Sequence, residues 1–266
     1  MSVTNPYIAS GAVYGPVNSR RLGKSLGINF FINKLCNYDC VYCYLGKTLK
    51  GVGKPIPSEQ IIHELEEFLK THRDMSIDYI TFCGNGEPTI HPEFPEVVNK
   101  TFKIIEKYRP NTPTALFSNA TTLDRKEIMD VIKSIDRVFL KFDLVNEKHF
   151  YTINKPMDNI SFQKVIDNLK LASNQNIRYT LDAAIITFLI KEYKKNDYEY
   201  IRNWLKIVKE ISPPEVNLYT IIYHPDIIEE KHLREKLNAL KNDINEITSF
   251  IKQNLEDGGI PCKIYI

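Results

Sequence analysis

LGINFFINKLCNYDCVYC, residues 26–43, runs from an apolar segment straight into three cysteines spaced C-x3-C-x2-C. The apolar part, LGINFFI (26–32), reads as a buried strand, which puts Cys36, Cys40 and Cys43 on the loop that follows it. A [4Fe–4S] cluster is usually held by four thiolates. Three close cysteines with no fourth nearby leave one iron without a protein ligand, and an open coordination position is where a metal does chemistry. The spacing therefore points to a cluster that acts on a bound molecule. The competing readings are a zinc site, with Cys83 as a distant fourth ligand, and three buried thiols.

Working outward, five more strand-like runs follow: DYITFC (78–83), TALFSN (114–119), RVFLKFD (137–143), RYTLDAAII (178–186) and EVNLYTI (215–221). Amphipathic helices separate them. Ser58 is placed to cap one, with Ile61, Ile62, Leu65, Phe68 and Leu69 on a single face. Another covers 93–108, and Asp124 with Glu127 forms a capping-box-like start to a third. Phe162, Val165, Ile166 and Leu169 mark the next, and 197–210 the one after. A long helix reaching Leu255 and stopped by Gly258 and Gly259 precedes a terminal strand, IPCKIYI.

Six β-α units with short connections predict a parallel α/β sheet with right-handed crossovers, either open and doubly wound or closed into a full or partial barrel. Residues 1–266 are expected to form one domain, with an irregular extension over 1–25 and a C-terminal helix and final strand over 222–266. In such folds functional residues gather at the C-terminal ends of strands. The cysteine loop, Gly84-Asn85-Gly86-Glu87-Pro88, Ser118–Asn119 and Asp143 fall at four such ends.

The 43% hydrophobic and 26% charged composition is that of an ordinary globular protein. No apolar run approaches membrane length, and MSVTNPYIAS has no signal-peptide pattern, so cytoplasmic residence is expected. Five cysteines, three of them crowded into eight residues, fit a reducing compartment and a metal better than a disulfide framework. The net charge of +2 is unevenly placed. Residues 1–54 carry seven Lys and Arg against Asp39 alone, a local charge of +6 that leaves −4 for the rest. A solvated lysine-rich surface and a face that receives an anionic substrate such as a nucleic acid both fit this asymmetry.

C-x3-C-x-aromatic-C after a first strand, with Tyr42 as the aromatic, resembles the signature of the radical S-adenosylmethionine (SAM) superfamily. The resemblance implies a partial (β/α)6 barrel. It implies that Cys36, Cys40 and Cys43 hold one [4Fe–4S] cluster whose open iron chelates SAM. An external reductant such as a ferredoxin or flavodoxin then drives cleavage to a 5′-deoxyadenosyl radical, which abstracts a substrate hydrogen. GNGEP is similar to the family segment that meets the methionine amino group, with Asn85 standing in place of a glycine. Ser118 and Asn119 match positions that contact the methionine carboxylate or the ribose, although helix capping explains them nearly as well.

Asp143 is placed for a ribose or methionine contact. An ion pair with Lys141, two residues away on the same strand face, explains both charges without a ligand. Cys83 and Lys141 are the candidate catalytic residues, with a buried hydrophobe as the plain reading of Cys83. YGPVNSRRLGKSLGIN, LKFD, FYTINKP and EVNLYTI further resemble a short branch of Fe–S oxidoreductases related to the tRNA wyosine-base synthase. RNA modification is thus the first substrate expectation, with peptide or small-molecule modification as the alternative. The rival outside this class is a non-enzymatic zinc or Fe–S protein.

Overall fold

Residues 8–143, 146–157, 159–184, 198–219 and 241–265 are described by the computed structural model of the chain. In chain order they form β1 (Val13–Ser19), β2 (Gly23–Ile28), β3 (Phe31–Ile32), β4 (Lys54–Pro55), α1 (Ser58–Thr71), β5 (Tyr79–Phe82), α2 (Phe94–Tyr108) and β6 (Thr114–Ser118). There follow α3 (Lys126–Ile132), β7 (Arg137–Lys141), α4 (Glu147–His149), α5 (Phe162–Asn174), β8 (Tyr179–Ala184), α6 (Tyr198–Ile211), β9 (Glu215–Tyr219), α7 (Lys241–Glu256) and β10 (Cys262–Tyr265). The main sheet has the order β1-β2-β5-β6-β7-β8-β9-β10. Every neighbouring pair from β2 to β10 is parallel. Only β1 is antiparallel, to β2.

The sheet curls. Arg21, in the turn after β1, has its guanidinium carbon 4.7 Å from the ring centre of Phe117 on β6 and 4.9 Å from that of Tyr219 on β9. Flat, those strands would lie about 14 Å apart, three inter-strand spacings. One group reaches both only across a concave face. Arg20 Nη1 also donates to the carbonyl of Tyr265, at 3.1 Å, on the opposite edge strand. The architecture is the expected partial barrel.

Strand side chains alternate between faces. On β7 and β8, Val138, Leu140, Tyr179 and Leu181 join the apolar core beneath the helices. There they meet Trp204, Leu205 and Val208 of α6 and Val165 and Leu169 of α5. Each buried aliphatic or aromatic side chain contributes about 1.5–3 kcal/mol. Phe139 falls on the other face, in a small cluster with Leu22 and Ala115, and Lys141 and Asp182 share its parity.

Several local expectations change. The strand expected over 26–32 ends at Ile28. Asn29 Nδ2 donates to Gly11 O and Phe31 O and turns the chain, so Phe31–Ile32 pairs with Lys54–Pro55 instead. The stretch 1–25, expected to be irregular, contains β1 and the start of β2. Ser58 does not cap α1: Pro57 holds that position, and Ser58 N donates to Glu93. Asp124 and Glu127 form no capping box; Arg125 is the cap, Asp124 pairs with Lys164 and Glu127 with Arg125. The ends of RYTLDAAII and EVNLYTI and residues 222–240 of the expected final helix lie outside the described residues.

Candidate functional site

The cysteine loop has little regular structure, so its backbone groups need partners from elsewhere. One support is GNGEP, at the end of β5. Leu35 N donates to Asn85 O at 2.9 Å, and Glu87 N donates to Leu35 O at 3.1 Å. A Cβ on Gly86 would sit 1.7 Å from Leu35 O, and its φ is +134°, so only glycine permits this approach. The second support is FYTINKP, 150–156. Asp39 N donates to Asn154 O at 3.0 Å, Val41 N to Ile153 O at 2.9 Å, and Met157 N to Asn37 O at 2.8 Å. Tyr38 stacks edge-on against Phe150, with ring centres 5.6 Å apart. The loop is thus gripped by segments some fifty and more than a hundred residues away in sequence.

Two of the three thiols receive N–H donors. Tyr38 N lies 3.4 Å from Cys36 Sγ, Asn119 Nδ2 lies 3.9 Å from the same sulfur, and Asn154 Nδ2 lies 3.4 Å from Cys40 Sγ. Burial pushes the Cys36 thiol well above its ordinary range, with Glu87 adding to it. Burial likewise pushes Cys40 up to about 11, against the pull of Lys141. Donors aimed at sulfur suit thiolates bound to iron, so the residues present fit a [4Fe–4S] group. Among the described residues, no three Cys, His, Asp or Glu side chains are grouped to surround a single metal ion. Cys83, the suggested fourth zinc ligand, is engaged elsewhere: the Tyr14 hydroxyl lies 3.0 Å from its Sγ.

Glu87 joins two of the strand-end motifs. Its Oε1 accepts from Thr89 Oγ1 at 2.6 Å and Ser118 Oγ at 2.8 Å, and its Oε2 accepts from Asn119 N at 2.7 Å. Burial raises its carboxyl above the ordinary range, and these hydrogen bonds oppose the rise. Pro88 opens a short 3-10 turn capped by Glu87. Asn119 Nδ2 reaches Asn37 Oδ1 at 2.6 Å, tying β6 to the cysteine loop. Asn85 is different. Its Nδ2 donates to Ala9 O and Phe31 O, both at 2.9 Å, and its Oδ1 accepts from Ala9 N at 2.9 Å. Both N–H groups and the carbonyl oxygen of that side chain are engaged within the protein, so it fastens the N-terminal segment.

Asp143, two residues past the end of β7, lies at the centre of a second network. Its Oδ2 accepts from the Tyr42 hydroxyl, and its Oδ1 from Lys141 Nζ at 3.0 Å and Ala184 N at 2.9 Å. Lys141 also donates to the Tyr219 hydroxyl, and its ammonium lies 5.0 Å and 4.9 Å from the ring centres of Tyr42 and Tyr219. Burial opposes its charge, but Asp143 and Tyr219 outweigh burial and hold it protonated. The ion-pair explanation of these two residues is therefore realised.

The structure adds two inward-facing groups, Asp182 and Asn217, that the sequence reading did not assign. Arg21 Nη1 pairs with Asp182 on β8, and Asn217 Nδ2 on β9 donates to Asp182 Oδ1 at 3.1 Å. A lone acid inside RYTLDAAII was the available signal. Arg21 is thus largely withdrawn from the basic surface, and Lys34 is buried against Gly46 O. Lys24, Lys47, Lys50 and Lys54 remain exposed. No helix among the described residues is long and apolar enough to cross a membrane.

Comparison with known proteins agrees with this geometry. The family model described as the radical SAM superfamily matches residues 31–205. The UPF0026 protein MJ1312 of Methanocaldococcus jannaschii is 31% identical over 241 residues, covering 87% of this chain and 71% of that protein. Among solved structures, Streptococcus suis SuiB bound to S-adenosylmethionine has a TM-score of 0.57 at 14% identity over 88% of this chain. TYW1 with a lysine-pyruvate adduct bound has a TM-score of 0.58 at 12% identity, covering 86% of this chain and 73% of that one. The chain spans about half the length of SuiB, 48%.

Proposed function

The chain belongs to the radical SAM superfamily, and from that premise we propose that Cys36, Cys40 and Cys43 hold one [4Fe–4S] cluster at which SAM is cleaved for hydrogen abstraction from a substrate. A cluster held by these cysteines would supply the one electron for cleavage of SAM at its C5′–S bond, to methionine and a 5′-deoxyadenosyl radical. The observation that carries this reading is convergence: the three other strand-end motifs are each hydrogen-bonded to the cysteine loop, and two of them to one another.

The chain's own residues position and shield. Glu87 holds the backbone of Gly84–Pro88 against Ser118 and Asn119, so that segment's carbonyls are fixed where the methionine end of SAM would lie. Asp143 and Lys141 anchor Tyr42 and keep a positive charge beside Cys40. Cys83, a partly buried thiol against Tyr14, is the candidate hydrogen-atom donor. A ferredoxin or flavodoxin in a reducing cytoplasm is the expected electron source.

Anaerobically reconstituted protein with dithionite should convert SAM to 5′-deoxyadenosine and methionine. The Cys36→Ala, Cys40→Ala, Cys43→Ala variant should lose both the cluster and all product. Equal product from the two proteins would overturn the reading.

For substrate, we propose a structured RNA such as tRNA, on the exposed Lys24, Lys47, Lys50 and Lys54 together with exposed Tyr44 and Tyr151. Phosphate contacts release counterions, so affinity should fall steeply with salt. tRNA binding that is absent or indifferent to salt, with SAM cleavage intact, would redirect the search to a peptide or small molecule.

A further inference from the structure

FYTINKP supplies more than a backbone bed. Asn154 ends its π-helical turn, Phe150–Asn154, and is 2% exposed. Its Nδ2 lies 3.4 Å from Cys40 Sγ and 3.1 Å from the Tyr42 hydroxyl. Its Oδ1 is buried and has no hydrogen-bond partner among the described residues. Buried carbonyls without a donor are rare, because they forfeit their water for nothing. Asn119, the other amide beside a cysteine, shows the contrast: its Oδ1 accepts from Thr121 N at 3.1 Å and Thr121 Oγ1 at 2.7 Å.

The orientation of Asn154 has a chemical reading. The Tyr42 hydroxyl gives its proton to Asp143 and can only accept from Asn154, so the Nδ2 end faces this side, where it also meets Cys40. A thiolate can only accept, so it requires the N–H end, and a hydrogen bond to an ionised acceptor is the stronger kind. The orphaned Oδ1 is the cost of presenting Nδ2 both to the Tyr42 hydroxyl and to sulfur. Backbone contacts fix the amide there, since Asn154 O receives Asp39 N from the same loop.

Resting on the assignment of Cys40 as a cluster ligand, we propose that Asn154 is a positioning residue that donates to the Cys40 thiolate and raises the reduction potential of the cluster. Reduction adds one electron, from the protein reductant or from dithionite, and increases the negative charge on the ligating sulfurs. An N–H donor at sulfur favours that reduced state.

The test compares full-length reconstituted wild type with Asn154→Leu and Asn154→Asp, by redox titration followed through the electron paramagnetic resonance of the reduced cluster. The Leu variant removes the donor while keeping the branched shape, and its midpoint should move to more negative potential. SAM cleavage with dithionite should fall about 10–100-fold, as for other partners of ligating groups. The Asp variant places a carboxylate beside the thiolate, and its midpoint should fall further. If the Leu variant fails to load a cluster, the Asp variant decides. A cluster-loaded variant with the wild-type midpoint overturns the inference. A wild-type protein that takes up no cluster overturns the premise instead, so the two failures are distinct.

Discussion

Val138 and Leu140 point outward from β7 into an apolar layer, while Phe139 and Lys141, one residue along, point inward toward Arg21, Tyr42 and Tyr219. On β8, Leu181 and Asp182 divide in the same way. Both faces are largely withdrawn from water, yet they are stabilised differently. The outer face is non-directional: its stability grows with apolar area and tolerates rearrangement of similar volumes. The inner face is directional: a buried charge is tolerated only when paired and hydrogen-bonded, so each group there depends on one or two named partners. A radical enzyme needs this division, with a rigid scaffold outside and a sparse set of oriented polar groups inside.

Substitutions on each side should separate the two kinds of stability. On the outer side, Trp204 of α6 is fully buried and donates to Phe142 O at 3.2 Å. Trp204→Ala should cost about 3–5 kcal/mol, read as a lower denaturation midpoint. The loss should not depend on pH between 4 and 7, because no titratable inner pair is touched (pH values about those of the carboxylate and neutral ranges). A strongly pH-dependent loss would mean that the two faces are coupled.

Arg21→Met should cost about 3 kcal/mol at neutral pH, because it leaves Asp182 unpaired. Burial already raises the Asp182 carboxyl above the ordinary range, and Arg21 is the leading influence against it. Without Arg21 it rises further. A carboxyl whose folded pKa lies above its unfolded one is tolerated best in acid, and stability is lost as pH rises through the folded value. The penalty should therefore be small below about pH 4 and full at neutrality. Unfolding curves at several pH values check this, and an equal loss at all of them would refute the buried-charge account.

Asn85→Ala should have the smallest effect, about 2 kcal/mol, from the N–H and C=O of Ala9 losing their Asn85 partners, while Phe31 O keeps its donor from Asn29. SAM affinity, measured by calorimetry on loaded protein, should stay within about threefold of wild type, a change under 1 kcal/mol. A larger loss would return Asn85 to the cofactor site.

Much of the fold was legible before any coordinates. Alternating strand and helix patterns placed all seven parallel strands, because period-two and period-3.6 apolar spacing are local properties. The cysteine triplet was legible for the same reason, as ligand spacing within eight residues. Helix starts were read less well. Ser58, Asp124 and Glu127 have the right chemistry for caps, but Glu93, Lys164 and Arg125 brought by the fold or the adjacent chain engage them instead.

Residue type and spacing by themselves determined the parallel α/β architecture, the position of the three cysteines after an early strand and the strand ends at which GNGEP, Ser118–Asn119 and Asp143 stand. Only the tertiary structure decided which of those groups meet. Curling of the sheet brings Arg21 to Asp182, 161 residues away, and FYTINKP to the cysteine loop, with Asn154 114 residues from Cys40. The physical reason is directionality. Apolar burial follows a periodic pattern that a sequence displays, whereas hydrogen bonds and ion pairs depend on the relative placement of two distant atoms, which exists only once the chain has closed around them.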